Sequence, residues 1–348
     1  MTIILSNDDA RALLSMRDCM SALEIAYCDL AEGRAVNAAR SDAVTPAKRA
    51  DAVYSLKLMG AVLPSQGVGV VRLNSDIISF GQSRQTKLPL APGGRYTGLV
   101  LLFDNETGAP LAIFPDGILQ RMRVGATSLL AARYLARRDV KSVALIGAGW
   151  QAGGHVMAVA ETFPDAVVRC FSPTLDKCVA FCDEITAQTG VRVTPTRTAE
   201  DAVSGADVVL CATNAASHVF QAAWLAPGMH VSTIRGPELE PAVIKQCDVV
   251  VVHEQTQHEN VAVAHGVRMP KGRHAIDGLD FQTTPSLADI IAGKAAGRTS
   301  AEQKTCFVNL PGIGLQFAAV GAAFYRKALA AGRGHKLPTE WFTEDVIP

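Results

Sequence analysis

Gly147, Gly149 and Ala152 stand at the spacing G-x-G-x-x-A inside VALIGAGWQA, residues 143–152. An apolar run leads in, and helix-compatible GGHVMAVAETF leads out. That is the turn on which a dinucleotide pyrophosphate sits, at a helix N-terminus whose N–H groups and dipole favour anions. Gly147 permits the tight turn, Gly149 lets the backbone approach phosphate, and Ala152 lets helix and strand pack closely. Trp150 and Gln151 open the helix and complete the set of expected phosphate-side contacts. In a chain with 29 glycines the spacing alone says little; the strand before it and the helix after it give it weight. The competing reading is a plain strand-to-helix turn that binds nothing.

The chemistry such a site serves is hydride transfer with a nicotinamide. An NAD site usually carries Asp or Glu roughly 20 residues beyond the glycines, to hold the ribose. Here the second strand ends Cys170-Phe171-Ser172-Pro173-Thr174, with no acid. Hydroxyls at Ser172 and Thr174, with Arg169 and Lys177 nearby, accommodate a 2′-phosphate. The expected cofactor is NAD(P)H, with a lean toward NADP. The alternative for Ser172 and Thr174 is capping of the next helix. Thr213 and Asn214 end the fourth strand, at the carboxyl edge where open α/β sheets bind ligands. They read as ribose or nicotinamide contacts, or as turn formers.

No metal site is expected. The eight cysteines are scattered without a C-x-x-C and read as reduced, mostly buried thiols of a cytoplasmic protein. Cys178 and Cys182 share a helix face, but two thiols without further partners do not make a zinc site. His253-Glu254 and His258 resemble H-E-x-x-H with one residue too many, so the histidines do not face one way on a helix. His253 reads as a hydrogen-bonded structural residue. Asn309–Gly314 reads as a turn returning the chain between domains.

These residues need elements to hold them. Residues 7–33 read as one helix with Asn7 as its cap, and 50–114 as β-rich runs with a hairpin at 98–114. Residues 81–95 read as a loop, and 124–138 as an amphipathic helix. From 143 onward strand and helix patterns alternate, which implies right-handed crossovers and a parallel sheet covered on both faces. The fold class is therefore α/β. A Rossmann-type doubly wound sheet at 124–310 is joined to a discontinuous α+β substrate and dimerisation domain, 1–123 with 311–348.

Composition limits the partners. The chain has 33 basic and 33 acidic side chains, which argues against a general nucleic-acid or membrane-surface binder. No apolar run approaches the ~20 residues a membrane span needs. The N-terminus lacks the basic, then apolar, pattern of a signal peptide.

The ordered set LLFDNETGAPLAIFPDG, RMRVGATSLLAARYLA, VALIGAGWQAGGHV, ADVVLCATNAA and WLAPGMHVSTI resembles the ornithine cyclodeaminase/μ-crystallin family. The resemblance implies a homodimer built through the non-Rossmann domain, bound NAD(H) or NADP(H), and amino acids or their imines as substrates. It also implies a carboxylate clamp of basic residues. The arginine at the family's helix start falls on Arg123, the arginine of the N-terminal domain on Arg40, and the active-site lysine on Arg72. Guanidinium forks suit this task, because they bind carboxylates bidentately and stay charged. Arg123 is expected to reach both substrate and cofactor.

Two departures change the expected chemistry. The cyclodeaminases place a catalytic Asp after the fifth strand, where this chain has Pro237; Glu238 is one step away. Lysine becomes arginine at position 72, and arginine does not give up a proton. The leading expectation is an imine reductase or amino-acid dehydrogenase, with Arg40, Arg72 and Arg123 holding the carboxylate of a 2-imino acid. Arg121 and Arg235 add positive charge and suggest a dicarboxylic substrate such as iminosuccinate. The first alternative is a cyclodeaminase or hydroxyproline-dehydratase type of lyase, using Glu238 or Asp76 as acid/base. The second is an NADPH-retaining crystallin-like protein without turnover.

Overall fold

The structure, a computed structural model, describes residues 1–80, 85–255, 260–264, 276–344 and 346. His258 and residues 81–84 therefore lie outside the described residues. The chain divides into two compact units, Met1–Gln120 with His258–Met269 and Ile313–Pro348, and Arg121–Gln257 with Pro270–Gly312. Among the described residues no helix is long and apolar enough to cross a membrane.

The second unit is a seven-stranded parallel sheet. Its order in space is Val193–Pro195, Val167–Phe171, Ser142–Ile146, Val208–Cys211, His230–Thr233, Thr305–Val308, Val249–Val252. Runs such as VALI, VVLC and TCFV are buried throughout, as strands must be when helices cover both faces. The first five strands follow the order of a dinucleotide fold. The order reverses between Ser142–Ile146 and Val208–Cys211, so the loops that follow them part and leave a crevice.

The helix at Gly117–Leu135 begins earlier than its sequence pattern suggested and is not amphipathic. From Met122 to Ala132 it is buried on every side. Small residues allow this close packing. A Cβ at Gly125 would overlap Gly154 O of the helix Trp150–Thr162, and one at Gly154 would overlap Arg121 O. Two helices therefore cross with their backbones nearly touching.

The first unit is built on a ten-stranded mixed sheet. Ala52–Leu63 and Val68–Phe80 pair antiparallel along their length, Met59 opposite Arg72 and Lys57 opposite Asn74. The expected hairpin is present as Thr97–Asp104 and Pro110–Pro115. One sheet face is covered by the helix Gly314–Ala330, where Phe324 meets Phe114 edge-to-face with ring centroids 5.3 Å apart. A Cβ at Gly314 would meet Gly60 O at 2.5 Å, so glycine lets this helix start directly on the strand.

Three local expectations change. Residues 7–33 form two helices, Asn7–Leu13 and Met16–Ala31, because Ser15 caps the second in a capping box with Asp18. Ser6, not Asn7, caps the first. Part of the expected loop at 81–95 is the strand Gln85–Leu88, paired with Ile77–Phe80. The strand Asn260–Val263 pairs in parallel with Ser41–Pro46 of the first unit, although the sequence reading kept it with the nucleotide domain.

Candidate active site

Gly147 has φ +117°, and its N–H donates to Phe171 O at 2.8 Å. A Cβ there would overlap Ala212 O. Only glycine can take this turn beside the end of the neighbouring strand. Gly149 precedes the helix Trp150–Thr162 without a side-chain cap, and nothing lies within 4 Å of where its Cβ would be. The helix N-terminus is thus open, with its N–H groups available to an anion. Ala152 is fully buried against the sheet.

A cleft of about 380 Å³ opens at this turn. Gly147, Gly149, Trp150 and Gln151 line one side, Ser172 the second strand's end, and Thr213 and Asn214 the fourth strand's end. Gln151 Oε1 is buried and has no hydrogen-bond partner, a cost of roughly 1–3 kcal/mol that a ligand donor would relieve. The residues present therefore fit a dinucleotide. Thr174 is exposed, lies outside the cleft lining, and makes no side-chain cap. Arg169, expected near a 2′-phosphate, instead donates to Ser142 Oγ at 3.1 Å and to Ser204 O. Ser142 starts its strand, so this guanidinium serves the edge of the sheet opposite the turn.

Arg121 lies with its guanidinium 4.3 Å from the Trp150 ring centroid, a cation–π contact at the N-terminus of the helix Trp150–Thr162. Gly153 leaves the space it occupies. Arg123, two residues further along the same helix and so on a different side of it, is buried, and Gly312 leaves room for its guanidinium: a Cβ there would meet Arg123 Nη1 at 2.6 Å. His253 stands beside it at the end of Val249–Val252 and donates through Nδ1 to Pro311 O at 2.5 Å. Burial, with some help from Arg123, pushes His253 down to about 3, so it is a neutral structural histidine, as its position suggested. The turn 309–312, with a cis Leu310-Pro311 bond, thus packs on Arg123.

A buried hydrogen-bond chain that sequence reasoning missed locks these parts together. His155 Nδ1 donates to Gln151 O at 2.8 Å, and its Nε2 accepts from Ser128 Oγ at 3.0 Å. Asn309 Nδ2 donates to Ser128 Oγ at 2.9 Å and to Val124 O at 3.2 Å. Burial pushes His155 down to about 4. Its signal in the sequence was a histidine inside an otherwise apolar helix.

Glu238 is not placed as the acid/base expected of it. It is fully buried, and its two oxygens accept five hydrogen bonds. Oε1 takes Thr213 N and Oγ1 at 2.6 and 2.8 Å. Oε2 takes Thr233 Oγ1 at 2.7 Å, Ile234 N at 3.0 Å and Arg235 N at 3.0 Å. Burial raises its pKa, and these donors oppose the rise. The carboxylate ties the ends of two strands together at the cleft and so positions Thr213. Arg235 is half-buried beside it.

In the first unit the covered sheet face carries charge. Arg72 donates through Nε and Nη2 to Asp116 Oδ2 at 2.8 and 2.6 Å, and Asn74 Nδ2 donates to the same oxygen at 3.1 Å. Gly98 makes way for that bond, since a Cβ there would overlap Asp116 Oδ1 and Asn74 Nδ2. Arg40 holds Asp42 bidentately at 2.8 and 2.7 Å. Two of the three expected clamp residues, Arg40 and Arg72, thus already engage internal carboxylates. Asp76 accepts from Lys57 at 2.6 Å and pairs with Lys87 at 2.9 Å. Burial pushes Asp76 up, but the two ammonium groups outweigh it and hold it below the usual carboxylate range, so it is a poor general acid. Lys57 is the buried cation that sequence reasoning passed over. Period-two alternation in VYSLKLM puts it on the covered face with Ser55 and Met59.

The cysteines also differ from expectation. Cys170 joins Cys178 and Cys182, so three buried thiols meet rather than two.

A family model described as ornithine cyclodeaminase/mu-crystallin matches residues 1–330. A Δ1-pyrroline-2-carboxylate reductase of Bacillus thuringiensis subsp. konkukian is 28% identical, over 96% of this chain and 99% of its own. An alanine dehydrogenase of Archaeoglobus fulgidus is 29% identical, over 97% of this chain and 98% of its own. The solved structure of Thermococcus litoralis Δ1-pyrroline-2-carboxylate reductase in complex with NADH and L-proline matches with a TM-score of 0.78 at 24% identity, over 97% of this chain and 100% of that one. That likeness establishes the shared fold.

Proposed function

The chain belongs to the ornithine cyclodeaminase/mu-crystallin family, and from that premise we propose that it is an NAD(P)H-dependent imine reductase or amino-acid dehydrogenase acting on a small 2-imino or 2-amino acid. The observation that favours a reductase over a lyase is the state of Glu238. Where the cyclodeaminases carry their Asp this chain has Pro237, and the neighbouring carboxylate has both oxygens committed to five donors. The similar reductase and dehydrogenase named above support the same choice.

On this reading the residues that line the cleft hold the cofactor. The backbone at Gly147 and Gly149 and the open helix end at Trp150 and Gln151 hold the pyrophosphate. Ser172 faces the adenosine ribose, and Thr213 and Asn214 the nicotinamide half. With no carboxylate at Ser172 and Arg169 turned away, this end admits NADPH as well as NADH. A bound nicotinamide supplies the hydride for the C=N carbon. Arg123 holds the substrate carboxylate by charge-assisted hydrogen bonds. Arg72 and Arg40, held by Asp116 and Asp42, position their neighbours. Arg121 serves the phosphate side, so a second substrate carboxylate, as in iminosuccinate, would rest on Arg235 alone. A monocarboxylic 2-imino acid, cyclic or open, is the better-supported substrate.

Spectrophotometric screening of NADH and NADPH tests this reading. The acceptors are 2-keto acids with ammonia or methylamine, and preformed cyclic 2-imino acids. Oxidation of at least one nucleotide with an imine is expected. No oxidation, together with ammonia release from a diamino acid, would make the protein a lyase. Tight NADPH retention without any turnover would make it a binding protein.

We further propose a homodimer through the first unit. The outer face of its sheet is apolar, with Val62 and Leu99 exposed and Leu56, Leu58, Leu73 and Phe103 partly so. Exposed apolar patches of this kind mark interfaces. Light scattering after size exclusion should give twice the chain mass; a monomer at micromolar concentration refutes the assignment.

A further inference from the structure

We propose that Cys170, Cys178 and Cys182 form a trigonal thiolate site for a soft trivalent ion, for which arsenite is the probe. Their sulfurs all lie within 4.8 Å of one another, with Cys170 and Cys178 3.8 Å apart. Bonds of about 2.3 Å from one ion to each sulfur, at the roughly 95–100° angles of a pyramidal three-coordinate ion with a lone pair, put the sulfurs about 3.5 Å apart. Cys170 and Cys178 already stand close to that separation at 3.8 Å, and the sulfurs need draw in by no more than an ångström or so from the 4.8 Å within which all three lie. The topology produces the triangle. Cys170 is next to last in the strand Val167–Phe171, and Cys178 and Cys182 are one turn apart on the helix Leu175–Thr189 that packs on it.

Charge selects the ion. All three thiols are buried, and among the described residues no histidine or carboxylate completes the group. Three thiolates around a monovalent ion leave two negative charges in the core, and around a divalent ion one. Around a trivalent ion they leave none, and uncompensated buried charge is what a protein interior tolerates least. The step balances without redox change. As(OH)₃ exchanges three As–O bonds for three As–S bonds, and each departing hydroxide leaves as water with one thiol proton. The hydrogen bonds given up are weak ones, from Cys170 Sγ to Gly147 O and from Cys178 Sγ to Cys170 O, both at 3.5 Å. Nothing in this geometry depends on the reductase reading.

Native mass spectrometry of the full-length protein, reduced and then incubated with arsenite, tests the site directly. The expected result is a gain of one arsenic less three hydrogens per chain, reversed by a dithiol and resistant to a monothiol. Cys178→Ser and Cys182→Ser, each checked for folding by circular dichroism, should lose the gain, while Cys28→Ser, outside the cluster, should keep it. Cys182→Ala replaces the serine variant if a hydroxyl there unfolds the protein. The proposal is overturned if wild type takes up no arsenic, if the cluster variants bind it as well as wild type does, or if zinc is retained in preference when both ions are offered.

Discussion

Replacing Arg123 by alanine is expected to lower kcat/KM for imine reduction by about two to three orders of magnitude, equivalent to about 3–4 kcal/mol. Arg123 is buried on the cofactor-binding unit, beside a turn that leaves it room. Each hydrogen bond from such a cation to a substrate carboxylate contributes about 1.5–3 kcal/mol. The loss should fall mainly on the imino acid. The affinity for nucleotide, followed by its fluorescence, should change much less, because the phosphate turn is built from backbone around Gly147 and Gly149. The fold should survive, since the bond from Thr127 Oγ1 in this stretch goes to the backbone carbonyl of Arg123 and does not need the side chain. Arg123→Lys should recover part of the activity, with a raised KM, because a point charge replaces a bidentate fork. Kinetics unchanged in Arg123→Ala would remove this residue from the substrate site.

Acidification should unfold the nucleotide-binding unit at a pH where most proteins are still at their most stable. Burial pushes His155 down to about 4 and His230 and His253 to about 3 each, from an ordinary value of 6.5. All three are neutral in the folded protein at neutral pH, whereas the unfolded chain takes up their protons as pH falls through 6.5. Their contribution is therefore fully present above 6.5 and declines below it, continuing until the folded values are reached. At pH 5 each costs about 2 kcal/mol, so together they cost about 6 kcal/mol. That is comparable with the 5–15 kcal/mol that typically holds a domain together. Denaturant titrations at pH 7.5, 6 and 5, followed by the fluorescence of Trp150 and Trp224, should show a steep loss. His230→Gln should flatten the slope by close to one proton. Stability that stays level between pH 7.5 and 5.5 would show that these histidines are not buried neutral.

The glycine turn between strand and helix was legible because its determinants are contiguous. Strand, glycine spacing and helix lie within about 20 residues, and a positive φ at Gly147 is a local demand that only glycine meets at low cost. The parallel sheet was legible for a related reason: apolar strands and crossover helices alternate along the chain. The helix start at Ser15 could also have been read, since serine three residues before Asp18 is a local capping signal. Only the tertiary structure decided what the charged and thiol side chains do. Arg72 and Asp116 are 44 positions apart, and Glu238 meets Thr213 from 25 positions away. Cys170 reaches Cys178 across a strand–helix packing contact. None of these partners is named by spacing. A buried polar group must find its complement wherever the packed chain supplies it. In sequence an arginine is only a cation and a glutamate only a candidate acid. Strand register then gives Arg72 a carboxylate of its own, and two strand ends surround Glu238 with five donors.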